Sequence, residues 1–281
     1  MAVCFFWGTT YLGIRMSLES FPPLTLVTAR YAMSGAITLL FAWYRGMHLP
    51  RGRELLASCV AGFWTLTIGN GALAISETLI PSGMASLIIS MSPFWMVGFE
   101  ALLPGGESLH GPTLWAMALG LAGSALLVTP ESGAHNLLVG FLVLQIGMAG
   151  WSFGSIYQRR RPGKAHSIIA GGVHQLAAAL ATAPFAWLVP HHPIHWSTRG
   201  VTALLYLVFF GSLVGYSAYV YCMDKLPVAV VSIYPYVNTI VAVCLGWLFY
   251  RERFGMREAL AMAIIFLSVG LVKRYSRPAE A

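Results

Sequence analysis

Ionised side chains are scarce in this chain, acidic ones above all: ten Asp and Glu in 281 residues, with charged residues only 10% of the total. A soluble globular domain carries about a quarter charged residues, so this composition cannot clothe a surface in water. Cysteine is sparse as well. Cys4, Cys59, Cys222 and Cys244 all fall in apolar stretches without CxxC spacing, which argues against a disulfide scaffold or a cysteine metal site. No Gly-x4-Gly-Lys-Ser/Thr loop is present, so ATP coupling within this chain is not expected. No basic segment precedes the first apolar run, and no cleavable signal is expected. What is abundant is apolar: 57% hydrophobic residues and a mean hydropathy of +0.71.

Crossing ~30 Å of hydrocarbon takes ~20 residues per helix, so ten helices of ~22 residues with short loops use about 270 residues. That leaves no room for a large aqueous domain or a nucleic-acid-binding module. Runs 55–76, 78–99, 132–158, 200–223 and 226–250 hold no Asp, Glu, Lys or Arg. The expected spans are 2–18, 23–44, 55–76, 81–102, 110–129, 134–157, 166–189, 199–222, 227–249 and 257–274. Breakers separate them at Pro22-Pro23, Pro81, Pro104-Gly105-Gly106, Pro130, Pro162-Gly163, Pro193 and Pro227. The net charge of +7 then reads as orientation in the membrane. With the N-terminus inside, eleven Lys and Arg fall in cytoplasmic loops and tail, against five outside: Arg15, Arg199, Arg251, Arg253 and Arg257. This bias predicts both termini in the cytoplasm.

The two halves of the chain resemble each other. Trp7-x7-Arg15 recurs as Trp151-x7-Arg159, Pro81 matches Pro227, Pro93 matches Pro235, Glu107 matches Glu252, and Trp115-Ala-Met-Ala matches Leu260-Ala-Met-Ala. Such self-similarity marks two five-helix units, 1–130 and 134–277. Five is odd, so the second unit must lie inverted. The predicted fold is an all-α polytopic membrane protein of ten transmembrane helices in two inverted repeats, the architecture of alternating-access transporters with a midplane site.

These residues also carry a family resemblance. Trp7-Gly-Thr-Thr-Tyr-Leu-Gly-Ile-Arg15, Arg30 after the double proline, and Asn238-Thr-Ile-Val-Ala-Val after Pro235 resemble the EamA-type drug/metabolite transporters over almost the whole chain. Gly69-Asn70-Gly71, Glu77 and Pro81-Ser-Gly resemble one branch of amino-acid and metabolite exporters. The resemblance implies export of a small organic solute across a bacterial inner membrane, with no cofactor, and leaves the substrate open. The expected partners are that solute, protons as a coupling ion and the lipid bilayer, with no nucleic acid and a monomer or weak dimer.

Polar residues at membrane depth are costly and so are functional candidates. Asn70 lies near the middle of span three between two glycines, and Glu77 is seven residues on, on the same helical face. Asn70 either binds solute or satisfies a neighbouring backbone group; Glu77 either titrates or pairs with Arg15 or Arg30. At the repeat offset Asn70 corresponds to Tyr216, with Tyr219 and Ser212 on roughly the same face. Tyr234 and Asn238 flank Pro235, and Ser90 precedes Pro93. These can line a site where a helix opens or merely bond helices together. Trp7 with Tyr11, and Trp151 with Ser155, occupy equivalent places in spans one and six. With Trp95 they read as an aromatic box or as interfacial anchors. His174 is a candidate proton relay or a satisfied interior histidine.

Other motifs read as structure. Gly150-x-Ser152-x-Gly154 matches a hydrolase elbow, but that elbow needs a strand–turn–helix context. Within an apolar helix, Gly150-x3-Gly154 is a packing face, as is Gly211-x3-Gly215. His191-His192-Pro-Ile-His195 reads as a surface loop before a metal site. A different class stays open, a membrane-embedded enzyme acting on lipid or peptide, although no paired carboxylates or nucleophile–base pair supports it.

Overall fold

The structure is a computed structural model that describes residues 2–104, 111–127, 134–161, 163–189, 193–225, 231, 234–252 and 254–275. Glu107, Pro130, Pro162, His191, His192, Pro227 and Arg253 lie outside the described residues. Among those described, all regular secondary structure is helical. We number the helices α1 (Ala2–Leu18), α2 (Pro23–Tyr44), α3 (Gly52–Ser76), α4 (Ser82–Leu102), α5 (Gly111–Leu127), α6 (Ala134–Arg159), α7 (Ser167–Leu188), α8 (Thr198–Lys225), α9 (Tyr234–Tyr250) and α10 (Met256–Tyr275). By length and composition, α2, α3, α4, α6, α7 and α8 can each cross a membrane.

The surface agrees with lipid contact. Trp43, Trp115, Trp187 and Trp247 are all at least 64% exposed, and Leu40, Phe41, Leu142, Ile146 and Leu180 join them. So much apolar surface is tolerable only where the solvent is hydrocarbon. Trp7, by contrast, is 8% exposed and belongs to the core.

Helix starts follow local chemistry. Pro22 and Pro23 open α2, where a missing N–H costs nothing, and Ser197 caps α8 through its side chain on the Gly200 amide. The bundle pairs α2 with α7, α5 with α10 and α4 with α9, while α3 lies on α6 and α1 on α8. In addition α1 packs on α9 and α4 on α6, and α3 on α7 and α2 on α8. Exchanging each helix for the one five places on maps this set of pairings onto itself. Glycine permits the closest of these approaches: a Cβ at Gly62 in α3 would lie 2.5 Å from the Cα and carbonyl oxygen of His174 in α7.

Two helices share an irregularity. In α3 the backbone widens to a π-helix over Phe63–Asn70, and α8 does the same over Leu207–Tyr216. The widened stretches end on Asn70 and Tyr216, which the repeat offset pairs. Such bulges re-aim side chains and are frequent at functional sites. Helix α4 breaks at Ser90–Met91 and restarts at Ser92, with Pro93 in its new first turn. Pro235 likewise falls in the first turn of α9, so within the described residues it opens that helix and does not interrupt it.

Candidate solute site

Helices from both halves enclose a cavity of about 70 Å³ in the middle of the bundle. Its wall carries Trp7, Thr10 and Tyr11 from α1, Arg30 and Tyr31 from α2, Asn70 from α3, Met148 and Trp151 from α6, Tyr216 from α8, and Tyr234 and Asn238 from α9. The aromatic side is continuous: the Trp7 ring lies 5.3 Å from Trp151, 5.0 Å from Tyr219 and 5.1 Å from Tyr234. The Trp7 indole N–H donates to the Gly211 carbonyl at 3.0 Å, and the missing side chain at Gly215 makes room for the ring.

Two tyrosine hydroxyls are oriented by the same device. Thr65 donates to the Ala61 carbonyl at 2.7 Å, so its oxygen is left to accept from Tyr216 at 3.2 Å. Ser155 donates to the Trp151 carbonyl at 2.7 Å and accepts from Tyr219 at 2.8 Å, while Tyr219 accepts from the Trp151 indole at 3.0 Å. With the Tyr216 proton committed to Thr65, the 3.0 Å bond between Tyr216 and His174 needs Nδ1–H of His174 as donor. Nε2 of His174 is then the unprotonated nitrogen; it is buried and accepts no hydrogen bond among the described residues.

His174 also lies on a second space. At the end of the bundle bearing residues 51–58 and 158–167, a vestibule of about 800 Å³ reaches inward to His174, and its mouth carries Arg53, Lys164 and Lys225. Tyr216 faces the central cavity and His174 faces the vestibule, so the bonded pair is part of the partition between them.

The opposite end is tightly tied. Glu252, after α9, accepts from the Ser82 amide (2.9 Å), the Ser82 hydroxyl (2.8 Å) and the Gly83 amide (2.9 Å), capping α4. Tyr250 bonds Glu19, Arg199 lies 3.5 Å from Glu19, and Ser20 bonds Ser197 at 2.7 Å. Each of these contacts joins one half of the chain to the other.

The EamA-like transporter family model matches residues 1–129 and 138–274. The chain belongs to the EamA-like transporter family. It is 32% identical over 99% of its length to the uncharacterised inner membrane transporter YedA of Escherichia coli (strain K12), covering 91% of that protein. It is 25% identical to a protein of the same strain named probable amino-acid metabolite efflux pump, over 75% of this chain and 72% of that one. A crystal structure 20% identical in sequence superposes with a TM-score of 0.73, covering 100% of this chain and 96% of the other, which speaks to the fold alone.

Within this transporter, the residues singled out from sequence separate into groups. Trp7, Tyr11, Arg30, Asn70, Trp151, Tyr216, Tyr234 and Asn238 are brought together on the cavity wall. Ser155 is not on it but orients Tyr219. Ser90 sits at the break in α4, its hydroxyl donating to the Leu87 carbonyl at 2.6 Å. Trp95 faces a groove between α3, α4 and α6, where its indole donates to Gln145 at 3.0 Å. Glu77 is wholly buried beyond the cavity; Arg15 donates to its backbone carbonyl, and neither carboxylate oxygen accepts a hydrogen bond among the described residues. Ser152 is buried without a hydrogen-bond partner among the described residues, while His174 is engaged by Tyr216. Sequence reasoning missed Thr10, Tyr31, Ser92 and Met148 on the wall. The spacing Trp7-x3-Tyr11 could have flagged Tyr31 and Thr10 only if the partner helices had been known.

Proposed function

We propose that the chain is a secondary transporter of the bacterial inner membrane, exporting small organic solutes by alternating access through the central cavity. All ten helices cross the membrane as two inverted repeats, 1–130 and 134–277, with both termini in the cytoplasm. The exchange-invariant helix pairings and the matched widenings of α3 and α8 support the repeat. The names of the Escherichia coli relatives support the membrane and the direction of transport. The observation that carries the reading is the cavity itself, walled by both halves and placing Asn70 and Tyr216, a repeat-related pair, on one space.

In the proposed cycle the tied end, bearing Glu252 and Ser82, is the closed outer gate, and the basic vestibule is the cytoplasmic approach. Asn70, Tyr216, Tyr234 and Asn238 bind polar groups of the solute; Trp7, Tyr11 and Trp151 contact its apolar part. Glu77 is the coupling carboxylate, because its oxygens are buried without hydrogen-bond donors, where the neutral form is favoured.

The test is efflux from proteoliposomes loaded with a mixed pool of amino acids, aromatic carboxylates, nucleosides and cationic drugs, followed by mass spectrometry. Selective efflux without product formation, lost in Asn70→Ala, is expected. Efflux indifferent to Asn70→Ala moves the site elsewhere, and turnover without efflux replaces the transporter with an enzyme.

A further inference from the structure

Arg30 is the sole charged side chain on the described wall of the central cavity. It is 6% exposed, its Nε donates to Ser212 at 2.8 Å, and its guanidinium lies 5.1 Å from the centre of the Tyr31 ring. No carboxylate of the described residues forms an ion pair with it. Glu77 is within electrostatic reach of both Arg15 and Arg30 but stands off the wall. The site is built around this cation: a Cβ at Gly211 would come within 2.6 Å of Nη2, so glycine there leaves the guanidinium its place. A guanidinium presents five donors in a fixed fork that fits a carboxylate. A buried charge left without an anion is costly.

The rest of the described wall carries no carboxylate that could pair with a cation against this charge. Its other polar side chains, among them Asn70, Asn238, Thr10 and Ser92, are neutral. A second, independent observation concerns the approach. The vestibule is lined by five Lys and Arg against two carboxylates, Glu54 and Asp224. A cleft of one dominant sign concentrates ligands of the other.

We propose that the solute is an organic anion, a carboxylate on an aromatic or otherwise planar apolar body, and not an amino-acid zwitterion or a cationic drug. Its carboxylate docks on Arg30 and its body lies against Trp7, Tyr11 and Trp151. In the present conformation the cavity has space for only a few waters, so the cavity must widen for the solute to bind. This assignment rests on the transporter reading and names its substrate class.

The test uses three probes that share one skeleton: 3-phenylpropionate, phenylalanine and 2-phenylethylamine, titrated calorimetrically into the purified protein. 3-Phenylpropionate is expected to bind at least about tenfold tighter than phenylalanine, a difference of one good charge interaction, and 2-phenylethylamine not to bind. Arg30→Gln should erase the preference; Arg30→Lys, which keeps the charge without the fork, should keep its sign. Should Arg30→Gln not fold, the order of the three probes on the wild-type protein decides alone. Equal or tighter binding of phenylalanine or the amine, binding of none of the three, or a preference that survives Arg30→Gln overturns the assignment. Mixed-pool efflux of solutes other than anions would overturn it while leaving transport standing; efflux of nothing would remove the transporter reading as well.

Discussion

Glu252 offers the sharpest test of how the two halves are held. Its carboxylate reaches from the end of α9, in the second half, to the N-terminus of α4, in the first. One oxygen accepts from the Ser82 amide and hydroxyl, the other from the Gly83 amide. In Glu252→Gln one oxygen becomes an amide nitrogen that points a donor at a donor, so the Gly83 bond is lost. The favourable charge at the α4 N-terminus goes with it. Together these losses amount to about 2 kcal/mol. If the bond exists only while this end is shut, the ratio of open to shut molecules rises roughly thirtyfold. The reporter is a cysteine at Leu73, on the cavity wall, in a protein whose four native cysteines are replaced. A membrane-impermeant maleimide is added from the Glu252 end. The modification rate should rise by that factor in Glu252→Gln and at least as much in Glu252→Ala. An unchanged rate, or a rise seen only from the vestibule end, would refute the latch.

Three further outcomes are expected. Tyr216→Phe leaves the buried Nδ1–H of His174 without its acceptor and should cost about 1–3 kcal/mol of stability, read from thermal unfolding in detergent. Gly211→Ala places a methyl 2.6 Å from Arg30 Nη2 and 2.9 Å from Thr10 Cγ2, overpacking worth about 1–3 kcal/mol; folded protein should show reduced solute flux in proteoliposomes. Glu77→Gln should abolish flux driven by a pH gradient while sparing solute exchange, and a pH response like that of the wild type would remove Glu77 from coupling.

The helices were legible because lipid imposes a simple rule. Every backbone polar group at membrane depth must bond within its own helix, so charge-free runs and proline breaks mark the elements directly. The expected 23–44, 81–102 and 166–189 meet Pro23–Tyr44, Ser82–Leu102 and Ser167–Leu188. The sequence offset paired Asn70 with Tyr216, and both stand on one cavity wall. Eight of the singled-out residues share that wall, being polar or aromatic at depths where such groups are rare.

What the chain's order of residues cannot encode locally is which faces meet. Ser155 and Trp151 lie four residues apart, yet one orients Tyr219 and the other lines the cavity. Trp95 is as aromatic as Trp7, but it lies past the break in α4 and its indole donates to Gln145. The tie between Glu252 and Ser82 spans 170 positions, and no residue type in Phe63–Asn70 or Leu207–Tyr216 announces the widened backbone of α3 and α8. Composition and spacing determined that this is a helical membrane protein. Only the packing of one half against the other decided that a single buried arginine, with no carboxylate of the described residues paired to it, would stand in the wall of the cavity between them.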